Sequence, residues 1–383
     1  MQNCKHFGIC GGCSLYQLPY QEQLRLKQKM IKEILGRFNL NIKILPMNFY
    51  NQYFYRNKME FTFSEDKEPI CGLYQLSDFK IKKVIGIEEC LIFSENIFQI
   101  LEAVKNFMRT KKYKVYNKYT HKGFLRNLIV KESKFIDQIM IGIVTTSQDF
   151  LNKEEFVKFL LKIEFSKKIE SIYWIINDSI SDAVIFQKKE LLYGKPYIYE
   201  KLDEFTFKIG IDTFFQVNPF LARKLYNNIK NYADLNKFDK ALDLYCGVGC
   251  IGMYLAKSAG FVCGIELNKN AVELAKEIAR LNKIENILFV NSDIKKFLNT
   301  EGINYKSINT FIVNPPRQGL SGKIKRAILR LSPKYIFYSS CNLQNLAKDL
   351  KDLTEGYCVE FIEPFDFFPN TLHLECLAKL IKN

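Results

Sequence analysis

ALDLYCGVGCIGMYLAKSAGFVCGIE, residues 241–266, is the stretch that decides the fold. It opens with a short apolar run, which is typical of a parallel strand covered on both faces. Gly247, Gly249 and Gly252 follow, and glycines allow a tight turn and a close approach of the backbone to a ligand. The next apolar run ends at Glu266, where a carboxylate can bind both hydroxyls of a ribose. The pattern predicts a strand, a turn, a helix and a second strand around a cofactor.

The glycine spacing alone leaves the cofactor open. Gly247 to Gly252 also fits the G-x-G-x-x-G pattern of dinucleotide sites, which is a weak signal when it stands alone. S-adenosylmethionine sites use the same turn and the same ribose carboxylate without a pyrophosphate. An NAD-dependent oxidoreductase is therefore an alternative, but it leaves the later motifs and the basic charge unexplained.

Apolar runs beyond this stretch predict an α/β domain over residues 205–383, built on an open, mostly parallel sheet. The runs at 287–290, 308–313 and 335–338 end near Asp293, on NPPR (314–317) and on SSCN (339–342). Open α/β sheets bind ligands at the carboxyl ends of their strands, so these residues are expected at one site. The final runs, 358–363 and 372–380, predict an antiparallel pair at the end of the sheet.

Two residues in the last part of the chain are candidates for chemistry. Cys341 follows a strand and precedes a helix, whose dipole favours a thiolate at that end. A nucleophile is expected in such a place, although an isolated cysteine is more often structural. Glu375 lies in an apolar strand, where burial would raise its pKa and suit it to act as a base. His373 is a weaker alternative for the base.

The first 204 residues predict a mixed α+β module that contains a cysteine motif. Cys4, Cys10 and Cys13 fall within ten residues, and we expect Cys90 to be the fourth ligand of a metal site, with Cys71 as the alternative. Four thiolates suit either zinc or an iron-sulfur cluster, and spacing does not choose between them. A set of free thiols in a loop is the other interpretation. The cluster segment would be residues 1–90.

The charge of the chain indicates a polyanionic partner. Its 383 residues carry a formal charge of +15, which is typical of proteins that bind nucleic acid, although a biased composition could produce the same excess. Neither an apolar signal core nor a membrane-spanning run is present, so we expect a cytoplasmic protein. We also expect it to be a monomer. Aromatic and basic side chains beside each other predict RNA contacts, with core packing as an equal alternative for the aromatic cluster. The candidates are Tyr55, Arg56, Lys58, Arg126 and Arg317.

Six motifs taken in order resemble those of the RNA 5-methyluridine (uracil-C5) methyltransferase family. They are CxxxxxCGGC, FFQVN, DLYCGVG, NPPRQG, SSCN and HLEC, and they cover nearly the whole chain. The resemblance implies a class I S-adenosylmethionine-dependent methyltransferase domain and an N-terminal iron-sulfur and RNA-binding module. It implies that Cys341 adds to C6 of uracil and that Glu375 removes the C5 proton.

The resemblance also implies two ligand sets. Cys4, Cys10, Cys13 and Cys90 would hold a four-iron, four-sulfur cluster of structural role. A second set of side chains and glycines would surround S-adenosylmethionine: Gln216, Tyr245, Gly247, Gly249, Glu266, Asp293 and Asn314.

Two departures from the family pattern are present, of which the first bears on the RNA target and the second leaves the expected reaction unaffected. Members with the cysteine motif often begin with an RNA-binding (TRAM) barrel, whereas this chain starts at the cysteine motif, so we expect no such barrel. Asn314 stands where aspartate is common. The cysteine set favours 23S rRNA as the target, and a uridine in the T-loop of tRNA is the alternative. A non-catalytic iron-sulfur protein that binds RNA is the alternative of another class.

Overall fold

The computed structural model describes residues 4–66, 68–76, 83–300 and 307–383. The chain divides into two compact units. The N-terminal unit contains Met1–Tyr16 and Asn51–Thr213, and the C-terminal unit contains Gln17–Tyr50 and Phe214–Asn383.

This division differs from the predicted boundary near residue 204 in two places. Residues 17–50 belong to the C-terminal unit, because the apolar face of helix α1 (Tyr20–Arg37) joins the core of that unit through Leu24, Ile31 and Leu35. Residues 205–213 stay with the N-terminal unit, because a cut at 204 would separate the two strands of a hairpin.

The N-terminal unit is built on a mostly antiparallel sheet. In the described residues its strand order is β3-β2-β1-β4-β5-β6-β7, and only β5 and β6 run parallel. The strands are β1 (Lys58–Asp66), β2 (Glu68–Tyr74), β3 (Val84–Gly86), β4 (Leu125–Glu132), β5 (Gln138–Thr145), β6 (Lys168–Ile176) and β7 (Lys188–Gly194). A separate hairpin follows, made of β8 (Ile198–Leu202) and β9 (Phe205–Ile209).

Among the described residues, two helices pack on the N-terminal sheet. Helix α2 (Ile97–Thr110) buries Ile97, Leu101, Val104 and Met108, which recur every three or four residues and so form one apolar face. Helix α3 (Lys153–Leu161) begins at Asn152, whose side chain accepts a hydrogen bond from the backbone N–H of Glu155. The structure of this part of the chain thus has the predicted α+β character.

The C-terminal unit has the predicted open sheet. Its strand order is β12-β11-β10-β13-β14-β16-β15 among the described residues. Strands β10 to β14 pair in parallel, and β16 lies antiparallel between β14 and β15. The strands are β10 (Lys240–Leu244), β11 (Phe261–Glu266), β12 (Ile287–Asn291), β13 (Thr310–Val313), β14 (Tyr335–Ser340), β15 (Tyr357–Phe365) and β16 (Glu375–Lys382).

Helices alternate with these strands, as the periodicity predicted. They are α4 (Pro219–Ala233), α5 (Cys250–Ala256), α6 (Lys269–Leu281), α7 (Ile294–Leu298), α8 (Gly322–Leu331) and α9 (Leu343–Leu353). None of the helices in the described part of the chain is both long and apolar enough to span a lipid bilayer.

Because β10, β11, β13 and β14 run parallel, their carboxyl ends meet at one edge of the sheet, where the candidate site lies.

Candidate active site

The glycine turn leaves β10 and leads into α5. Tyr245, Gly247 and Gly249 all adopt positive φ angles, of 62°, 55° and 82°. A side chain at Gly249 would place its Cβ 2.4 Å from the ring of Phe289, so only glycine fits there. A positive φ is strained for tyrosine, and such strain is concentrated at functional sites.

Glu266 lies beside this turn, at the end of β11. Its Oε2 accepts a hydrogen bond from the backbone N–H of Gly247 at 3.1 Å, and its Oε1 accepts one from Asn268 at 2.8 Å. The carboxylate thus stays fixed next to the glycine backbone while remaining partly exposed. The structure thus brings together the glycine turn and the Glu266 carboxylate, the two features from which the sequence predicted a site for a ribose.

Two more of the predicted cofactor residues, Asp293 and Asn314, follow strand ends in this unit, and a third, Gln216, precedes a helix. Asp293 is exposed and caps α7, and its charge helps burial to raise the pKa of Tyr245 to about 12. Asn314 follows β13, where its backbone N–H reaches the carbonyl of Leu244 at 3.4 Å. Gln216 is buried just before α4.

Asp243 is a residue that the sequence analysis did not single out. It is fully buried in β10, and its Oδ2 accepts a hydrogen bond from the backbone N–H of Gly252 at 2.9 Å, whereas Oδ1 has no partner in the described structure. Burial raises the pKa of this carboxyl to about 7. Asp243 ties the start of α5 to the strand before the turn. An acidic residue in an otherwise apolar strand was the available signal.

Cys341 directly follows β14 and precedes α9. Helix α9 begins at Asn342, whose side chain accepts a hydrogen bond from the backbone N–H of Asn345 at 3.2 Å. The pKa of the half-buried Cys341 thiol is raised, first by burial and then by the charge of Glu375, while Arg317 lowers it and hydrogen-bonds to the sulfur. The structure therefore brings Cys341, Glu375 and Arg317 together.

Glu375 is the first residue of β16, next to β14 in the sheet. Its side chain is buried, and the hydroxyl of Ser339 donates a hydrogen bond to Oε1 at 2.5 Å. Burial raises the pKa of the carboxyl to about 7. His373, the alternative base, is exposed and lies edge-on to the ring of Phe368. Glu375 is thus the candidate whose charge reaches the thiol.

The loop that carries Arg317 is held from α9. The side-chain amides of Asn342 and Asn345 donate to the carbonyl of Arg317 at 3.1 and 2.7 Å. Buried Asp349 accepts hydrogen bonds from the backbone N–H of Leu320 at 2.7 Å and from the hydroxyl of Tyr338 at 2.7 Å. These bonds fix the NPPRQG loop beside the end of β14. Asp349 gave no sequence signal, because an aspartate inside a helix is usually exposed.

In the N-terminal unit, Cys4, Cys10, Cys13 and Cys90 line one small cavity of about 30 Å³. Burial and, to a smaller extent, the neighbouring thiols together raise the pKa of Cys13 and of Cys90 to about 12. Cys71, the alternative fourth ligand, lies instead in the apolar core of this unit.

These thiols do not form a site for a single metal ion. Across the described ranges, no group of three or more His, Cys, Asp or Glu side chains converges closely enough to hold one. In a four-iron cluster each cysteine binds a different iron, so the sulfurs surround a volume instead of meeting at a point. Four thiols around one cavity fit that donor set, and the cluster itself stays a prediction.

Two of the residues predicted to contact RNA lie at buried positions. Tyr55 is fully buried, which favours the core-packing alternative for it. Arg126 is buried too, and its guanidinium donates to the carbonyls of Asn177 and Ser181, each at 2.7 Å. The sequence pattern could not separate these roles, because aromatic and basic residues adjoin both in cores and on RNA-binding surfaces.

The other predicted RNA contacts remain accessible in part. Arg56 and Lys58 are both partly exposed near the start of β1, and Lys58 forms an ion pair with Glu60 at 2.6 Å. Arg317 is exposed on the NPPRQG loop.

Comparisons with known proteins place the whole arrangement in context. The sequence profile of the family described as "tRNA (Uracil-5-)-methyltransferase" matches residues 19–383. A protein of Clostridium tetani named "Uncharacterized RNA methyltransferase" is 37% identical over 98% of this chain and 83% of its own length. A "tRNA (uracil(54)-C(5))-methyltransferase" of Pyrococcus abyssi is 33% identical over 99% of this chain and 85% of its own length.

A solved structure agrees with the fold over nearly the whole chain. The crystal structure of Pyrococcus abyssi tRNA (uracil-54, C5)-methyltransferase in complex with S-adenosyl-L-homocysteine superimposes with a TM-score of 0.78. The alignment has 29% sequence identity and covers 97% of this chain and 86% of that one.

Proposed function

This chain belongs to the tRNA (uracil-5-)-methyltransferase family and is an S-adenosylmethionine-dependent RNA (uracil-C5) methyltransferase, and we propose that Cys341 is its nucleophile and Glu375 its base. The observation that carries these roles is the position of the Cys341 thiol, which interacts with both a buried carboxylate and an arginine at the carboxyl edge of the sheet.

The proposed reaction begins with addition of the Cys341 thiolate to C6 of uracil. The electron pair of the C5–C6 bond is then held as an enolate, and C5 attacks the methyl carbon of the sulfonium. S-adenosylmethionine supplies that methyl group as a substrate and leaves as S-adenosylhomocysteine. Glu375 removes the C5 proton, the C5–C6 double bond forms again, and the C6–S bond breaks to release the thiolate.

Arg317 supports the first step in this scheme. The thiolate is the reactive form of cysteine, and burial together with the charge of Glu375 opposes its formation. The guanidinium of Arg317 acts in the other direction by lowering the pKa of the thiol. We assign Arg317 to activation of the nucleophile in addition to the RNA contact predicted from sequence.

The methyl donor would lie against the glycine turn. Glu266 is fixed at 3.1 Å from the backbone N–H of Gly247, in the position expected for a carboxylate that binds ribose hydroxyls. Tyr245 lies in the same turn, and Asp293 and Asn314 follow the neighbouring strand ends. We propose that these residues and Gln216 surround S-adenosylmethionine.

We propose tRNA as the target instead of the 23S rRNA expected from the cysteine set. The support is that relatives named for uracil 54 of tRNA match 99% of this chain at 32 to 33% identity. The test is methylation in vitro with labelled S-adenosylmethionine, comparing a tRNA transcript with a 23S rRNA fragment. Preferential labelling of the rRNA fragment would overturn the choice of tRNA.

We also propose a four-iron, four-sulfur cluster held by Cys4, Cys10, Cys13 and Cys90, supported by their shared cavity. With a cysteine on every iron, the cluster would have no open position and would fix the cysteine segments to each other. Protein purified without oxygen should contain iron and acid-labile sulfide, and Cys13→Ser should lose them. Cys71→Ala should keep them, and equal loss in both variants would refute this ligand set.

Covalent trapping tests the catalytic roles. Cys341→Ala should bind RNA but neither methylate it nor form an adduct. Glu375→Gln should complete methyl transfer and then stall, which leaves a protein–RNA adduct that migrates slowly on a denaturing gel. Cys358→Ala removes an exposed thiol elsewhere in the same unit and should behave like the wild type. Full activity of Cys341→Ala would refute the mechanism.

A further inference from the structure

Ser339 and Glu375 are joined by a hydrogen bond inside the C-terminal sheet. Ser339 lies in β14 and Glu375 begins β16, and these strands pair antiparallel. The Ser339 hydroxyl donates to Oε1 of Glu375 at 2.5 Å, and both side chains are buried. A hydrogen bond between a hydroxyl and a carboxylate is short and strong in such surroundings.

The two oxygens of Glu375 have different surroundings. Among the described residues, the bond from Ser339 is the one hydrogen bond that the carboxylate accepts. No described residue donates a hydrogen bond to Oε2, yet this atom is not among the polar atoms that are sealed from solvent without a partner. One oxygen is therefore held by the sheet, and the other is left for a ligand.

We propose that Ser339 is a positioning residue, which holds Oε1 of Glu375 so that Oε2 removes the C5 proton. This inference rests on the role proposed above for Glu375. Ser339 acts only through that carboxylate and touches neither the base nor the methyl donor in this scheme.

The surroundings of Glu375 make this hydrogen bond important for its ionisation. In the part of the chain that the structure describes, the titratable groups that interact with Glu375 are Cys341 after β14, Tyr226 on α4 and Cys376 on β16. Each of them is neutral or negative, so none stabilises a carboxylate. Burial raises the pKa of Glu375 and the bond from Ser339 lowers it, and with both acting the pKa is about 7. Loss of that bond should raise the pKa further.

A structural role for the hydroxyl is the alternative explanation. Thr310 on β13 provides a matched comparison, because its hydroxyl is also buried in this sheet but has no hydrogen-bond partner in the described structure. A comparison of the separate variants Ser339→Ala and Thr310→Val therefore distinguishes the effect of losing the bond to Glu375 from the effect of losing a buried hydroxyl.

The experiment measures how the single-turnover rate of methylation of a tRNA transcript by the full chain depends on pH. The acidic limb of this profile is the range in which the rate falls because Glu375 becomes protonated, and it is covered from about two pH units below its midpoint to about two units above it. Ser339→Ala should move that limb upward by about one pH unit, so that higher pH restores the rate. Below the limb it should accumulate the covalent protein–RNA adduct. Thr310→Val should keep the wild-type limb.

The outcomes are distinguishable. A Ser339→Ala variant that is slower by the same factor at every pH, with no adduct, would overturn the inference and assign the hydroxyl to structure. If that variant does not fold, Ser339→Cys retains a weaker donor and should give a smaller upward shift, and an unshifted limb would overturn the inference. Failure of Glu375→Gln to trap an adduct would instead refute the proposed function.

Discussion

Lys27 forms a buried ion pair with Asp366, from which it is separated by 339 residues in the chain. The hydroxyl of Tyr20 donates to the other oxygen of Asp366 at 2.8 Å, and Lys27 also donates to the carbonyl of Phe368 at 3.0 Å. Burial lowers the pKa of the lysine, and the carboxylate opposes that shift. Helix α1 is thereby fastened to the segment that leads into β16 and Glu375.

Lys27→Met should destabilise the C-terminal unit, because it leaves the Asp366 carboxylate buried without its cation. Breaking a buried pair in this way costs about 3–5 kcal/mol in the free energy of unfolding. Urea unfolding of the full chain measures this loss. The matched control is Lys29→Met, which breaks a pair with Glu33 on the exposed face of the same helix and should cost under roughly 0.5 kcal/mol.

A double variant, Lys27→Met with Asp366→Leu, checks the explanation. It removes both charges and should recover part of the lost stability, because the unpaired carboxylate is gone. Equal losses in Lys27→Met and Lys29→Met would contradict a stabilising role for the buried pair.

Arg317→Gln should make the Cys341 thiol less reactive, because the cation that lowers its pKa is removed while burial and Glu375 still raise it. The pH midpoint of Cys341 alkylation by iodoacetamide, followed by mass spectrometry of its peptide, should move upward. Arg326→Gln, on the exposed face of α8, is the control and should leave the midpoint in place. An unchanged midpoint in Arg317→Gln would show that Arg317 does not help to activate the thiol.

Several of these residues could be predicted from sequence, and the reason is local. Glu266 and Cys341 stand at the ends of apolar runs, and the carboxyl ends of parallel strands must meet at one edge. Glu375 was predicted because it is a carboxylate within an apolar run, and it reaches the same edge as the first residue of the antiparallel strand β16. The pairing of Lys27 with Asp366 could not be foreseen, because it depends on residues 17–50 packing in the C-terminal unit. The contact of Ser339 with Glu375 could not be foreseen either, because it depends on the register in which β14 and β16 pair.

Glu266→Gln should weaken the binding of S-adenosylhomocysteine, which carries the same ribose as the methyl donor. The glutamine keeps an acceptor for the backbone N–H of Gly247 but loses the charge that strengthens hydrogen bonds from hydroxyls. Isothermal titration calorimetry should show a loss of about tenfold in affinity. Glu273→Gln, on the exposed surface of α6, should bind like the wild type, and equal affinity in both variants would place the ribose elsewhere.

Glu375→Gln should also change how stability depends on pH. Burial raises the pKa of Glu375 from 4.5 to about 7, so between these values the folded state holds a proton that the unfolded state has lost. The free energy of unfolding of the wild type therefore falls as pH rises through this window, and the glutamine variant lacks that contribution.

The measurement is urea unfolding of both proteins at several pH values. The variant should gain stability relative to the wild type by up to roughly 3 kcal/mol across the window, with no further change above it. The buried Asp243 has a similarly raised pKa, but it is present in both proteins and cancels in the difference. Parallel stability curves would mean that Glu375 ionises in the folded protein as easily as in the unfolded chain. The Glu375 carboxyl would then not be buried in solution, and its pKa would not be raised to a value that suits removal of a proton near neutral pH.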